Sequence, residues 1–92
     1  MISDLSFKKD NIILVSIYDK VSEIFTPPYA FSNKKVALRQ YINLLKPIDD
    51  KRQYALYLIG EFDNSLGCIR SIEPIKVADG ESCLNDEFNF LF

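Results

Sequence analysis

FSNKKVALRQYINLL, residues 31–45, is the stretch whose reading decides the fold. Its apolar residues recur at Ala37, Tyr41, Leu44 and Leu45, and again at Leu38, Ile42 and Leu45. That is the i, i+3, i+4 spacing of an amphipathic helix. Ser32 is placed to cap it, accepting from a free N–H of the first turn. Phe31 before that cap and Val36 after it have hydrophobic-staple spacing. Lys46-Pro47 closes the helix, because the residue before a proline avoids the α region.

A single amphipathic helix needs an apolar sheet to cover, and the flanking segments supply one. Residues 11–20, NIILVSIYDK, are rich in β-branched and aromatic side chains and read as a strand. Residues 21–25 alternate and read as a short second strand or arm, which Thr26-Pro27-Pro28-Tyr29 stops as a loop. Residues 53–63, QYALYLIGEFD, are a second strong strand, with Tyr54, Leu56 and Leu58 on one face and Ala55, Tyr57 and Ile59 on the other. Residues 63–67 form a turn in which Gly67 takes a positive φ. Residues 68–72 return as the hairpin partner, and residues 73–77 form an edge segment that tolerates Pro74. The expected architecture is one small α+β domain: a mainly antiparallel sheet of three to five strands with one principal helix on one face. Residues 1–10 read as a flexible lead-in, 11–79 as the domain and 80–92 as an acidic, aromatic C-terminal tail.

With 92 residues the chain holds one core. That core is thin, since a domain this small buries only about 60% of its unfolded surface, and a homodimer would thicken it. Net charge is −2, which argues against a DNA-condensing protein, yet the charge is uneven. Residues 1–76 hold all 11 basic and 9 acidic residues, a balance of +2; residues 77–92 hold four acidic residues and none basic. Such asymmetry suggests a nucleic-acid or regulatory role. Cys68 and Cys83 lack metal-site spacing, and there is no histidine to join them; both read as thiols in a reducing cytoplasm. The start of the chain lacks the order of a secretory signal, and no apolar run approaches the roughly 20 residues of a membrane span.

No catalytic constellation is visible. Histidine, the usual general base, is missing, and Gly60, Gly67 and Gly80 are too scattered to cradle a phosphate. The chain reads as a non-enzyme with no metal and no cofactor. Basic residues concentrate instead: Lys34, Lys35, Arg39, Lys46, Lys51 and Arg52 face only Asp49 and Asp50 within residues 33–52, a balance of +4. Lys34 and Lys35 oppose the helix dipole, and Lys35 repels Arg39 one turn on. An incoming phosphate would relieve both costs and could use the helix's free N–H groups; a solvated helix face is the plainer reading. Single-stranded nucleic acid also needs aromatic platforms, for which Tyr18, Tyr29, Tyr54, Tyr57 and Phe62 are candidates. Tyr29, in its loop, joins Lys34, Lys35 and Arg39 as the preferred contact set. In the tail, Phe88, Phe90 and Phe92 beside Asp86 and Glu87 either complete a core or dimer contact or dock on a partner.

One family shares this order of segments. Ile17-Tyr18-Asp19, then Phe25-Thr26-Pro27-Pro28-Tyr29, then Asn33 and Val36-Ala37-Leu38-Arg39-Gln40-Tyr41 resemble the first half of the gokushovirus nonstructural protein. Tyr57-Leu58-Ile59-Gly60-Glu61-Phe62-Asp63, followed by Gly67 and Pro74, resemble its second half. The resemblance covers residues 12–79 in order and implies a microvirus (bacteriophage) protein acting in the infected bacterial cytoplasm. It implies DNA binding, with single strands favoured, in the switch to single-stranded genome synthesis. The longer N-terminus and the acidic C-terminus depart from the family pattern. The alternative is an interaction protein that binds a host or phage replication protein through the helix or the tail, without touching DNA.

Overall fold

Alternation of β-branched and aromatic residues along Ile12–Asp19 produces the first strand, β1, which is central to the sheet. Its odd-numbered residues Ile13, Val15 and Ile17 are buried against a helix, while the even-numbered ones face the other way. The computed structural model describes residues 12–81. The remaining elements are β2 (Ile24–Phe25), β3 (Tyr29–Phe31), α1 (Lys34–Leu45), a 3-10 turn (Lys51–Gln53), β4 (Tyr54–Asp63) and β5 (Cys68–Asp79). All strand pairings are antiparallel, in the order β2/β3, β1, β4, β5. The expected α+β class, with one helix on one face of a curled sheet, is what the chain adopts.

Two details at the helix start differ from the sequence reading. Asn33, not Ser32, is the N-cap; its side-chain oxygen accepts the Val36 N–H at 2.9 Å. Phe31 is then too far from the cap to staple the first turn. It ends β3 instead, opposite Ile13, and packs on the core. The segment is needed as strand before it can become helix, so α1 starts one residue later than a Ser32 cap would place it.

The Pro27-Pro28 pair interrupts the edge rather than ending it. Pairing to β1 resumes at Tyr29, shifted by one residue between β2 and β3. Tyr29 is therefore a strand residue opposite Val15 and not the loop residue expected. Thr26 ties the interrupted edge to β1 as an acceptor: its hydroxyl accepts the Ile17 N–H at 3.0 Å, and its carbonyl accepts from Ser16 Oγ at 2.7 Å.

A bulge in β4 also has consequences. Leu14 pairs with Gly60 but Val15 pairs with Leu58, so Ile59 is the extra residue. Tyr54, Leu56 and Leu58 share one face as expected, and it is the helix side; beyond Ile59 the parity reverses and Glu61 takes the helix side. There it is 2% exposed and ion-paired with Arg70, its cross-strand partner on β5. Opposite the same bulge, β5 inserts Ile72, Glu73 and Pro74, so residues 68–79 are one long edge strand and not a strand plus a separate segment. Both sheet edges thus carry proline at an irregularity, which blunts them against pairing with another chain.

Candidate nucleic-acid interface

The basic residues of the helix region do not converge with Tyr29. At about 100° per residue, Lys35, Arg39 and Lys46 fall within an arc of roughly 40° on the solvent side of α1. Lys34 is exposed at the first position after the cap. Tyr29 borders a narrow crevice with Gln40 and Leu44, on the flank about 140° round the axis from that stripe. Its ring stacks on Phe31 at 6.4 Å. Lys51 donates to the Ile48 carbonyl at 2.9 Å, and Arg52 pairs with Asp50 at 3.1 Å. That leaves a solvated stripe of three cations in one place and an aromatic in another. Phe88, Phe90 and Phe92, like residues 1–11, lie outside the described residues.

Aromatic rings do converge on the face opposite α1. Tyr18, Phe25 and Tyr57 contact one another in all three pairings, with centroids 4.6, 6.0 and 5.2 Å apart. Register explains why. Phe25, Tyr18 and Ala55 occupy one cross-strand row that ends at Asp79; Ser16 and Tyr57 occupy the next, which ends at Lys76. Large rings alternate with the small Ala55 and Ser16, which are 0% and 1% exposed although no described element covers this face. The rings lie beside these small residues, Thr26 closes over the Ser16 hydroxyl, and Phe25 remains 41% exposed. Tyr18 and Tyr57 were legible as candidates. Phe25 was missed; only the four-residue reversal between β1 and β2 brings it opposite Tyr18.

Charge flanks the rings. Lys20 Nζ lies 2.9 and 3.0 Å from the two carboxylate oxygens of Asp79, and Lys76 Nζ lies 3.2 Å from one of them. Two cations meet on one anion here, with the acidic residues Asp19 and Glu81 adjoining them in the chain. Burial pushes the Asp79 carboxyl up, but the Glu81 N–H and the two lysines outweigh it and hold the group below the ordinary carboxylate range. The Gln53 side-chain amide does the same for Asp19, and the Arg52 guanidinium for Asp50. A carboxylate with a lowered folded pKa stabilises the fold fully above its unfolded value of about 3.9 and stops doing so as pH falls through the folded value. Urea midpoints are therefore expected to hold steady from pH 7 to about 5 and to decline below about pH 4, with Asp79→Asn flattening part of that decline.

Among the described residues, no three His, Cys, Asp or Glu side chains group as a metal site, and no helix is long and apolar enough to cross a membrane. The open face can offer stacking surface and ammonium donors.

No curated protein and no solved structure matches this chain. The sequence profile described as phage ORF5 protein does match, over residues 12–83, which takes in the whole described fold. The protein whose open sheet face carries Tyr18, Phe25 and Tyr57 belongs to the phage ORF5 protein family.

Proposed function

We propose that this phage protein is a non-enzymatic binder of single-stranded DNA that stacks bases on the open sheet face and serves single-stranded genome synthesis in a gokushovirus-like infection. The observation that carries the reading is the mutual contact of Tyr18, Phe25 and Tyr57 on a face that no other described element covers. Family membership and the gokushovirus resemblance support a phage setting, and the neighbouring ammonium groups of Lys20 and Lys76, both on Asp79, support phosphate contact beside the rings. Stacking tolerates any base, which suits a genome-coating task better than readout of a sequence. Lys35, Arg39 and Lys46 then serve as a secondary electrostatic surface.

Anisotropy with labelled oligothymidylate and a duplex control tests this at about 50 and 200 mM salt. Single strands should win, and two phosphate contacts should give a log–log salt slope of about −1.4. Phe25→Ala should weaken binding about 5- to 150-fold, the range for losing one stacked base. Phe25→Leu keeps the apolar cover without the ring and should weaken it nearly as much. Charge reversal of Lys35 and Arg39 should have the smaller effect. A result in which that reversal abolishes binding while Phe25→Ala does nothing would move the site to the helix. No binding at roughly tens of micromolar would favour the protein-partner alternative.

A further inference from the structure

We propose that Lys20 and Lys76 form a phosphate seat that Asp79 occupies in the free protein, so that the chain's own carboxylate competes with an incoming phosphodiester. This rests on the DNA-binding reading and gives that site its regulation.

The trio is assembled from distant parts of the chain. Lys20 follows β1, while Lys76 and Asp79 lie near the end of β5. Both ammonium groups converge on one carboxylate, at 2.9 to 3.2 Å. A carboxylate and a phosphodiester each carry one negative charge and present two oxygens, so either can satisfy the same pair of donors. The position suits a nucleotide. Lys76 is the cross-strand partner of Tyr57, about one strand spacing of 4.8 Å away, and Asp79 ends the row that carries Tyr18 and Phe25. A base on the rings therefore brings its backbone to this corner.

Asp79 is the fixed member. Its side chain is 17% exposed, and one of its oxygens accepts the Glu81 N–H at 3.1 Å. The lysine side chains are 36% and 46% exposed and can swing on flexible stems. Binding a phosphate thus means drawing two lysines off an anion that stays in place. The affinity of the seat is set by that competition, and removing the charge of Asp79 should raise it.

Asp79→Asn tests this, because asparagine keeps the shape and the oxygen that accepts the Glu81 N–H. Labelled oligothymidylate at low salt should bind the variant about tenfold tighter than the parent. Inorganic phosphate, followed by NMR at Lys20 and Lys76, should bind tighter as well. Adding Lys20→Gln and Lys76→Gln to Asp79→Asn should erase the gain. Far-UV circular dichroism and a urea melt establish that the variant is folded. Should it not be, Lys20→Gln alone is the second probe, expected to weaken both ligands about threefold. Unchanged affinity for both ligands, or a gain that survives loss of both lysines, overturns the seat. The two readings fail separately. Oligonucleotide binding that needs Phe25 but ignores Asp79→Asn removes the seat and leaves DNA binding. Tighter phosphate without any oligonucleotide binding keeps the seat and removes the DNA reading.

Discussion

Replacing Tyr41 by alanine will cost about 3–5 kcal/mol, measured as the shift in unfolding free energy from urea melts. Tyr41 sits at the middle of the buried stripe of α1, 1% exposed, among Ala37, Leu38 and Leu45 on the helix and Val15, Ile17 and Leu56 on the sheet. It is one of the largest fully buried side chains, so truncation leaves a cavity that a single helix cannot collapse to fill. Its hydroxyl also donates to the Tyr54 carbonyl at 3.1 Å, tying the helix to the start of β4. Tyr41→Phe isolates that bond and should cost about 1–2 kcal/mol, the range for stranding a partly buried acceptor. Stability for so small a domain sits near the low end of the usual 5–15 kcal/mol, so the alanine variant should keep only about 0–2 kcal/mol and be marginally folded. Equal losses for the two variants would mean that the hydrogen bond, not packing, holds the helix to the sheet.

Gly80→Ala is expected to cost about 3 kcal/mol or more, at the upper end of overpacking effects. A Cβ on Gly80 would stand 1.6 Å from the Lys51 carbonyl oxygen and 2.9 Å from that of Tyr54. Both are backbone atoms, of the 3-10 turn and of the start of β4, and neither can yield as the tip of a side chain can. The strand β5 ends here against the segment that leads into β4, so the clash would pry apart the corner that also holds Asp79. Gly67→Ala provides the contrast. Gly67 has φ +70 in the hairpin turn, with nothing within 4 Å of a built Cβ, so only the conformational penalty of about 1–2 kcal/mol applies. Thermal melts of the two variants separate the mechanisms: comparable losses would show that the close approach at Gly80 relaxes easily.

Contact between rings on the open face has a functional as well as a structural reading. Tyr18, Phe25 and Tyr57 flank the buried Ala55 in the sheet, and cover of that position alone would select apolar rings there. Shielding does not need aromatic character, which is why Phe25→Leu discriminates. A leucine at that position restores cover but offers no flat π surface to a base.

Elements that depend on near neighbours in the chain were legible in the amino-acid order. The helix periodicity from Ala37 to Leu45, the strand at residues 12–19, the two faces of Tyr54, Leu56 and Leu58, and the positive φ at Gly67 follow from spacing and local sterics. The same holds for the α+β class, since one amphipathic helix between strands leaves few other ways to bury its stripe.

What required the tertiary structure depends on pairing between distant residues. Asn33 rather than Ser32 caps α1 because β3 claims the residues before it, an outcome set by contact with β1. Glu61 faces the helix only because a bulge at Ile59 reverses the alternation, and a period-2 pattern carries no mark of where an extra residue is inserted. Tyr29 and the stripe of Lys35, Arg39 and Lys46 seem close when counted along the chain but lie on different flanks of the helix. Phe25 joins Tyr18 and Tyr57, and Asp79 joins Lys20 and Lys76, because antiparallel register fixes which side chains share a row. Composition and periodicity determined the elements and the class; hydrogen-bonded register between strands far apart in sequence decided which aromatic and charged groups form a site.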